Sequence, residues 1–161
     1  MTLELYRIDD RLIHGQVVVG WGQPLDIDFI VLVDDTVATS DWEQELYRMG
    51  VPPEMELYFH TAKDAIDNIP KYRADARRGL LLTGDISTMR RLTDGGGIAN
   101  VNVGGIHSRT GRTQRLRYVF LAPEEENALR ELAAKGVSIT AQDVPGARAV
   151  SLDDLLAGTE L

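Results

Sequence analysis

The chain contains no cysteine among its 161 residues, which excludes disulfides and thiolate metal sites. Aromatic residues make up only 6% of it, and only three histidines are present. Basic residues are also in the minority, at 17 against 25 acidic ones, so the formal net charge is −8. Such a chain has no general attraction for a phosphate backbone or for anionic lipid, and we expect no nucleic-acid partner.

Long apolar runs are missing as well. No segment approaches the roughly 20 apolar residues that a membrane-spanning helix needs. The start of the chain, MTLELYRIDD, lacks the basic region and apolar core of a signal peptide. These absences predict a soluble, cytoplasmic protein. The content of 43% hydrophobic and 26% charged residues is typical of a globular domain.

Apolar runs alternate with amphipathic segments along the whole chain. Strands are predicted at Leu3–Ile8 and at FIVLVDD, MELYFH, GLLLT, ANVNVGG, RLRYVFL and VSITAQDV. Helices are predicted between most of them, with starts near Gly15 and after capping-type residues at Ser40, Thr61 and Ser151. This alternation predicts an α/β fold, an open, mostly parallel twisted sheet of about seven strands with helices on both faces.

Polar residues follow three of the predicted strands. They are the segments Asp9–His14, Asp34–Asp35 and Asn102–Gly105. In sheets of this class, sites form outside the carboxyl ends of the strands. The clustering therefore indicates that the first of these segments takes part in chemistry.

His14 follows the first strand and opens a helix, where free backbone N–H groups favour an anion. Gly15 lets the backbone approach a group attached to the ring, and Arg7 and Arg11 supply guanidinium groups suited to phosphate oxygens. A neutral imidazole is a good nucleophile near neutral pH. These residues fit a phosphohistidine carrier, although a turn histidine with a satisfied hydrogen bond is the alternative.

The acidic pairs have two interpretations. Asp9 or Asp10 fits the role of holding the second ring nitrogen of His14 and fixing its tautomer. Asp9–Asp10 and Asp34–Asp35 also resemble oxygen ligands for magnesium. Hydrogen bonds to loop N–H groups and arginines explain them better, so we predict no metal site. A receiver-like phospho-aspartate switch is disfavoured, because the third strand ends in Phe59–Thr61 without an acceptor aspartate.

The stretch RIDDRLIHGQVV resembles the phosphorylation-site motif of the IIB components in the mannose/sorbose family of the bacterial phosphoenolpyruvate-dependent sugar phosphotransferase system. Further resemblances follow in order at FIVLVDD, VPPEM, RRLTDGG, NVGGIHSRTGRTQ and PEEENALRELAAKGVSITAQDVP. The likeness runs nearly end to end, and it implies a single IIB domain over residues 1–161. The chain departs from the family at VVVGWGQPL, where two glycines weaken the helix.

The resemblance implies that a phosphorylated IIA component phosphorylates His14. The phosphoryl group then passes to a sugar of the mannose, fructose, sorbose or amino-sugar class during uptake through the membrane components IIC and IID. The resemblance thus implies an enzyme, a protein-N(pi)-phosphohistidine–sugar phosphotransferase subunit, without a cofactor and in the form of a homodimer. A second hypothesis is a regulatory module that signals the phosphorylation state without phosphorylating sugar.

The same resemblance implies roles for other residues. Arg11 steadies the phosphoryl group, with Arg7 and Asp10 in support. The residues expected to border the site are Gly15, Asp34, Asp35, Gly104, Gly105, His107, Arg109 and Arg112. His107 stands where the family loop commonly has an apolar or aromatic residue. Arg109 and Arg112 are candidate phosphate or docking donors, whereas Arg115 and Arg117 are interpreted as a solvated strand face.

Overall fold

Nine strands and five α-helices make up residues 3–158, which a computed structural model of the chain describes. The strands are β1 (Leu3–Ile8), β2 (Phe29–Val33), β3 (Glu56–His60), β4 (Gly79–Thr83), β5 (Asn100–Val103), β6 (Thr113–Leu116), β7 (Val119–Leu121), β8 (Ser138–Ala141) and β9 (Val150–Ser151). The helices are α1 (Asp41–Met49), α2 (Ala62–Ala74), α3 (Ile86–Gly96), α4 (Pro123–Ala134) and α5 (Leu152–Ala157). A π-helix covers Gln16–Gly22, and a short 3-10 helix covers Val37–Thr39.

Seven strands form one open sheet in the order β3-β2-β4-β1-β5-β8-β9. All neighbours in it pair in parallel except β8 and β9, which are antiparallel. This sheet confirms the predicted fold class. The first strand, β1, lies at the centre between β4 and β5, so the loop that follows it opens at the middle of the carboxyl edge.

Both faces of the sheet are covered. On β2, Phe29, Val31 and Val33 point into one core cluster, together with apolar residues of α2, α3, α4 and α5. Ile30 and Leu32 point into the other cluster, which includes residues of the π-helix. Because successive strand residues face opposite sides, an unbroken apolar run is what a strand covered on both faces requires.

Three local predictions need correction. The segment RLRYVFL is two strands, because the chain turns at Arg117 and Tyr118 and β6 pairs antiparallel with β7 in a separate sheet. The seventh strand of the main sheet is instead β9, which pairs with β8 after an irregular loop. At α1, the Ser40 side chain makes no capping hydrogen bond.

Two other helix starts are confirmed as predicted. The Thr61 hydroxyl accepts a hydrogen bond from the Asp64 backbone N–H at 3.1 Å, and the Ser151 hydroxyl accepts one from Asp154 at 3.2 Å. These bonds satisfy backbone donors that a helix start otherwise leaves free. None of the helices within residues 3–158 has the length and apolar character needed to span a membrane.

Candidate functional site

The loop after β1 extends the sheet by two residues before it turns. The Asp9 N–H donates to the Thr83 carbonyl at 2.9 Å, and the Asp10 N–H donates to the Gly105 carbonyl at 2.8 Å. The chain then reverses at Leu12, whose φ of 58° lies in the left-handed region. For a residue with a Cβ this conformation costs about 1–2 kcal/mol. Backbone strain of this kind clusters at functional sites.

The strained turn holds the imidazole of His14. Its Nδ1 lies 2.8 Å from the Leu12 carbonyl oxygen, and since a carbonyl only accepts, Nδ1 carries a proton in this geometry. The other nitrogen, Nε2, is 4.0 Å from the Asp9 carboxylate and has no hydrogen-bond partner within the described chain. The side chain is 20% exposed. Of the two adjacent aspartates, Asp9 is therefore the one beside the ring.

Asp9 is a buried carboxylate held by two arginines. Arg11 donates to it from Nε at 3.0 Å and from Nη2 at 2.8 Å, and Arg7 Nη2 lies at 3.3 Å. Burial by itself raises the pKa of Asp9, but the Arg11 hydrogen bond and the two positive charges outweigh burial and lower the pKa. Asp9 is therefore ionised, and it presents negative charge to the His14 ring.

Arg7 lies beneath the site and is fully buried. Its guanidinium donates to the carbonyls of Gln142 at 2.8 Å and Asp143 at 3.2 Å, and to the side-chain oxygen of Asn102. Its carbon Cζ stands 4.7 Å from the centre of the Trp21 ring. Burial lowers the pKa of Arg7, and the neighbouring Asp9 charge only partly offsets this. Because Arg7 is fully buried, it serves the site by holding the Asp9 carboxylate in place.

The two glycines after β5 make room for these arginines. A Cβ on Gly104 would stand 2.3 Å from Arg7 Nη2, and one on Gly105 would stand 3.1 Å from Arg11 Nε. The first distance is far inside van der Waals contact. The absence of a Cβ at Gly104 and Gly105 therefore allows the close packing of this loop against the charged cluster.

Arg11 is the member of the cluster that reaches the surface, with 42% of its side chain exposed. The hydrogen bond to Asp9 raises the pKa of Arg11. Its Nη1 donates to the Gln16 side chain at 2.9 Å, and Gln16 in turn donates to the Asp143 carboxylate at 2.8 Å. The guanidinium is thus oriented from two sides beside His14. A planar donor in this position suits phosphate oxygens.

A second loop, between β5 and β6, is tied to the first through Asp10. The Asp10 carboxylate accepts both the backbone N–H of His107, at 2.8 Å, and a hydrogen bond from its imidazole Nδ1. Arg112 makes a two-pronged ion pair with Glu125 and donates to the His107 carbonyl at 2.9 Å. Arg112 therefore supports the loop, while Arg109 is exposed and forms no ion pair within residues 3–158.

The other residues predicted to border the site, Asp34 and Asp35, accept backbone hydrogen bonds in their own region. Asp34 accepts the backbone N–H groups of Thr36 and Val37, each at 2.9 Å, and Asp35 accepts that of Ala62 at 2.9 Å. Both stand at the end of β2, two strands away from β1, and none of their described contacts joins the His14 loop. Among the residues that the structure describes, no group of three or more His, Asp or Glu is arranged to hold a metal ion.

The structure adds site residues that the sequence did not single out. Asp143 accepts hydrogen bonds on its carbonyl from Arg7 and Trp21, and on its carboxylate from Gln16 and, at 3.1 Å, from Arg117. Arg117 is 81% exposed, so it is solvated as predicted. The same prediction is wrong for Arg115, which is only 25% exposed and makes a two-pronged ion pair with the buried Glu126, from Nε at 2.6 Å and from Nη2 at 3.1 Å. A signal existed for Asp143, because it follows β8 and so lies at the same sheet edge as β1 and β5.

Comparison with known proteins gives consistent matches. A family model described as "PTS system sorbose subfamily IIB component" matches residues 3–161. The N-acetylgalactosamine-specific phosphotransferase enzyme IIB component 1 of Escherichia coli is 35% identical over 154 residues, which cover 93% of this chain and 96% of that protein. The PTS system mannose-specific EIIAB component of Escherichia coli is 32% identical over 160 residues, which cover 98% of this chain and 49% of that protein.

A solved structure shows the same fold. The IIBSor domain of the sorbose permease from Klebsiella pneumoniae aligns with a TM-score of 0.87 at 29% sequence identity. The alignment covers 100% of this chain and 99% of that one.

Proposed function

The chain belongs to the sorbose subfamily of IIB components of the phosphotransferase system, and from this membership we propose that His14 is its phosphoryl carrier. The protein transfers a phosphoryl group from a IIA component to a sugar during uptake. One observation carries the assignment of His14, namely its imidazole beside the ionised Asp9 and the surface-reaching Arg11. The neighbours of that ring are suited to a phosphoryl group.

In the first step a ring nitrogen of His14 attacks the phosphorus of the phosphorylated IIA component. A P–N bond to His14 forms as the donor's own bond to phosphorus breaks. The product carries about two negative charges, so donors must already be in place. Arg11 supplies them, because its guanidinium is held by Asp9 and Gln16 while part of it faces solvent.

We propose that the protein acts as a protein-N(pi)-phosphohistidine–sugar phosphotransferase subunit. N(pi) is the ring nitrogen Nδ1, so the phosphoryl group is carried on Nδ1 of His14. In the resting geometry Nδ1 donates to the Leu12 carbonyl, so its lone pair is not free. We propose that the proton moves to Nε2, where the Asp9 carboxylate at 4.0 Å stabilises it, and that the ring leaves the carbonyl. Asp9 then selects the reactive tautomer.

In the second step the P–N bond of phosphorylated His14 breaks and a P–O bond to a sugar hydroxyl forms, while the hydroxyl proton passes to a base or to solvent. We assign Arg109 to partner docking, because it is exposed and unpaired within the described chain. Arg112, Asp10 and His107 hold the neighbouring loop in place. A border role for Gly15, Asp34 and Asp35 stays a prediction.

The proposed partners are a phosphorylated IIA component and the membrane components IIC and IID. The name of the Escherichia coli relative, a mannose-specific EIIAB component, supports the first of these. The relatives are named for N-acetylgalactosamine, mannose and sorbose, which supports a hexose or amino-sugar substrate. We propose that residues 1–161 act as one IIB domain on the cytoplasmic side. Nothing in the site favours the regulatory alternative.

The test is phosphorylation followed by intact mass. The protein is mixed with phosphoenolpyruvate, the general phosphotransferase proteins and a competent IIA component. Wild type gains one acid-labile phosphoryl group and His14→Ala gains none. The matched control is His60→Gln, which removes a histidine that contacts the Tyr72 hydroxyl instead of the loop. Absence of a gain in wild type, or a gain in His14→Ala, contradicts the proposal.

A further inference from the structure

A cavity of about 250 Å³ opens between the loop after β1, the loop that joins β5 to β6, and the hairpin of β6 and β7. Arg11 and His107 line it together with the apolar residues Ile106, Tyr118 and Phe120. Apolar walls with a few polar groups are typical of sites that take a small organic molecule. The composition of the cavity therefore suits a small substrate or part of one.

The imidazole of His107 is held from one side only. Its Nδ1 donates to the Asp10 carboxylate, so Nε2 of the neutral ring carries a free lone pair. Nε2 has no hydrogen-bond partner within residues 3–158, and 63% of the side chain is exposed. The loop is tied to Asp10 independently of the ring, because the backbone N–H of His107 also donates to this carboxylate at 2.8 Å. A carboxylate that orients one ring nitrogen and leaves the other free is the arrangement of a general base.

Arg11 connects this imidazole to the phosphoryl carrier. Its guanidinium binds Asp9, whose carboxylate lies 4.0 Å from His14 Nε2. The same guanidinium packs over Gly105, two residues before His107, with Nε 3.1 Å from the position of an added Cβ. A phosphoryl group that Arg11 holds on His14 therefore lies next to the cavity that His107 lines.

We propose that His107, oriented by Asp10, is the general base of the second step, an assignment that rests on the role proposed for His14. The cavity admits the acceptor hydroxyl of the sugar while the membrane components present it. A proton from an attacking hydroxyl needs such an acceptor, because the oxygen becomes positively charged as it bonds to phosphorus.

The step balances in atoms and charge. The sugar oxygen forms a bond to phosphorus, and its proton passes to Nε2 of His107. The P–N bond breaks, and its electron pair stays on Nδ1 of His14. The Asp10 carboxylate stabilises the positive charge on the protonated His107 ring, as a carboxylate does for a catalytic imidazole. The extra proton leaves to solvent after the sugar phosphate departs.

The test separates the two half-reactions in wild type and His107→Asn. Asparagine keeps an N–H donor for Asp10 but lacks the second ring nitrogen, so the loop stays tied while the base is lost. Both proteins gain one phosphoryl group from a IIA component at equal rates, as read by intact mass. The phosphorylated proteins are then mixed with mannose, sorbose or N-acetylgalactosamine, the sugars for which the relatives are named, and with vesicles containing IIC and IID of the matching system. Transfer to sugar from His107→Asn is at least about tenfold slower.

Two comparisons separate a base from a structural residue. His60→Gln is the matched control, because it removes a histidine that contacts the Tyr72 hydroxyl and does not line the cavity, and it leaves both half-reactions unchanged. In D2O the second half-reaction of wild type slows more than that of His107→Asn, because a proton moves in its transition state. A structural defect alone leaves this solvent effect as it is in wild type.

The outcomes distinguish this role from the one proposed for His14. Transfer to sugar by His107→Asn at the wild-type rate, or with the wild-type solvent effect, overturns the role of His107 and leaves that of His14 intact. Equal slowing of both half-reactions makes His107 a structural residue and also overturns its role as a base. A wild type that gains no phosphoryl group, or passes it to none of the three sugars, overturns the proposed function together with the base.

Discussion

Replacing Asp9 by asparagine removes the charge that holds the site together and nearly preserves the side-chain volume. Asp9 and Arg7 are both fully buried, with their nearest oxygen and nitrogen 3.3 Å apart. Removing one partner of a buried ion pair costs about 3–5 kcal/mol, because the other charge stays buried without compensation. Arg7 keeps its hydrogen bonds to two backbone carbonyls. We therefore expect a loss near the lower end, about 3 kcal/mol.

The loss is measured as the change in unfolding free energy from urea titration. The control is Asp94→Asn, which removes an exposed ion pair with Lys135 and changes the unfolding free energy by less than about 1 kcal/mol. Adding Arg7→Met to Asp9→Asn removes the uncompensated charge. The double variant is therefore less destabilised than the sum of the two single variants.

The pH dependence of the unfolding free energy tests whether the charge of Asp9 causes the loss. The folded pKa of Asp9 is lowered, so its contribution to stability is fully present above the unfolded pKa of about 4 and is lost as pH falls through the folded pKa. The difference between wild type and Asp9→Asn consequently shrinks in acid. A difference below about 1 kcal/mol at neutral pH, or one that persists unchanged in acid, refutes the reasoning.

Further predictions concern the neighbours of Asp9. Gly104→Ala places a Cβ 2.3 Å from Arg7 Nη2 and lowers the unfolding free energy by about 1–3 kcal/mol in urea titration; wild-type stability would show that Arg7 can move aside. Arg11→Lys loses the planar two-pronged contact, so phosphoryl transfer from a IIA component, followed by rapid quench, slows at least about tenfold while the thermal midpoint changes little. In side-chain nitrogen NMR, resting His14 carries its proton on Nδ1, and phosphorylated His14 carries the phosphoryl group on Nδ1 and the proton on Nε2; a proton that stays on Nδ1 means that Nε2 is phosphorylated and contradicts the assignment of Nδ1.

Local patterns predicted most of the secondary structure. The unbroken apolar run of β2 indicated a strand covered on both faces, and the polar residues at Thr61 and Ser151 indicated helix starts. The strand predictions failed where the structure of a segment depends on the strand with which it pairs. RLRYVFL alternates like one strand, but its two halves pair with each other, and β9 is too short to be detected without β8 beside it.

For the site, the sequence by itself determined the residue types and the loop that carries them. The sequence shows the strand before His14, the polar turn that follows this strand and the glycine pair after β5. It also shows the resemblance that implies a phosphohistidine. Which of Asp9 and Asp10 faces the ring was left open. Successive side chains in an extended segment point to opposite sides, so Asp9 and Asp10 face different ways. Only the packing of the surrounding strands decides on which of the two sides His14 lies.

The tertiary structure alone decided which distant residues meet. It placed Asp143 beside Arg7 through the pairing of β5 with β8, and it kept Asp34 two strands away because β4 lies between β2 and β1. It also turned the apolar side of α1 outward. The physical reason is the same in each case. Strand order and helix orientation follow from burying the apolar surface of the whole chain at once, whereas residue spacing records only what is favourable within one element.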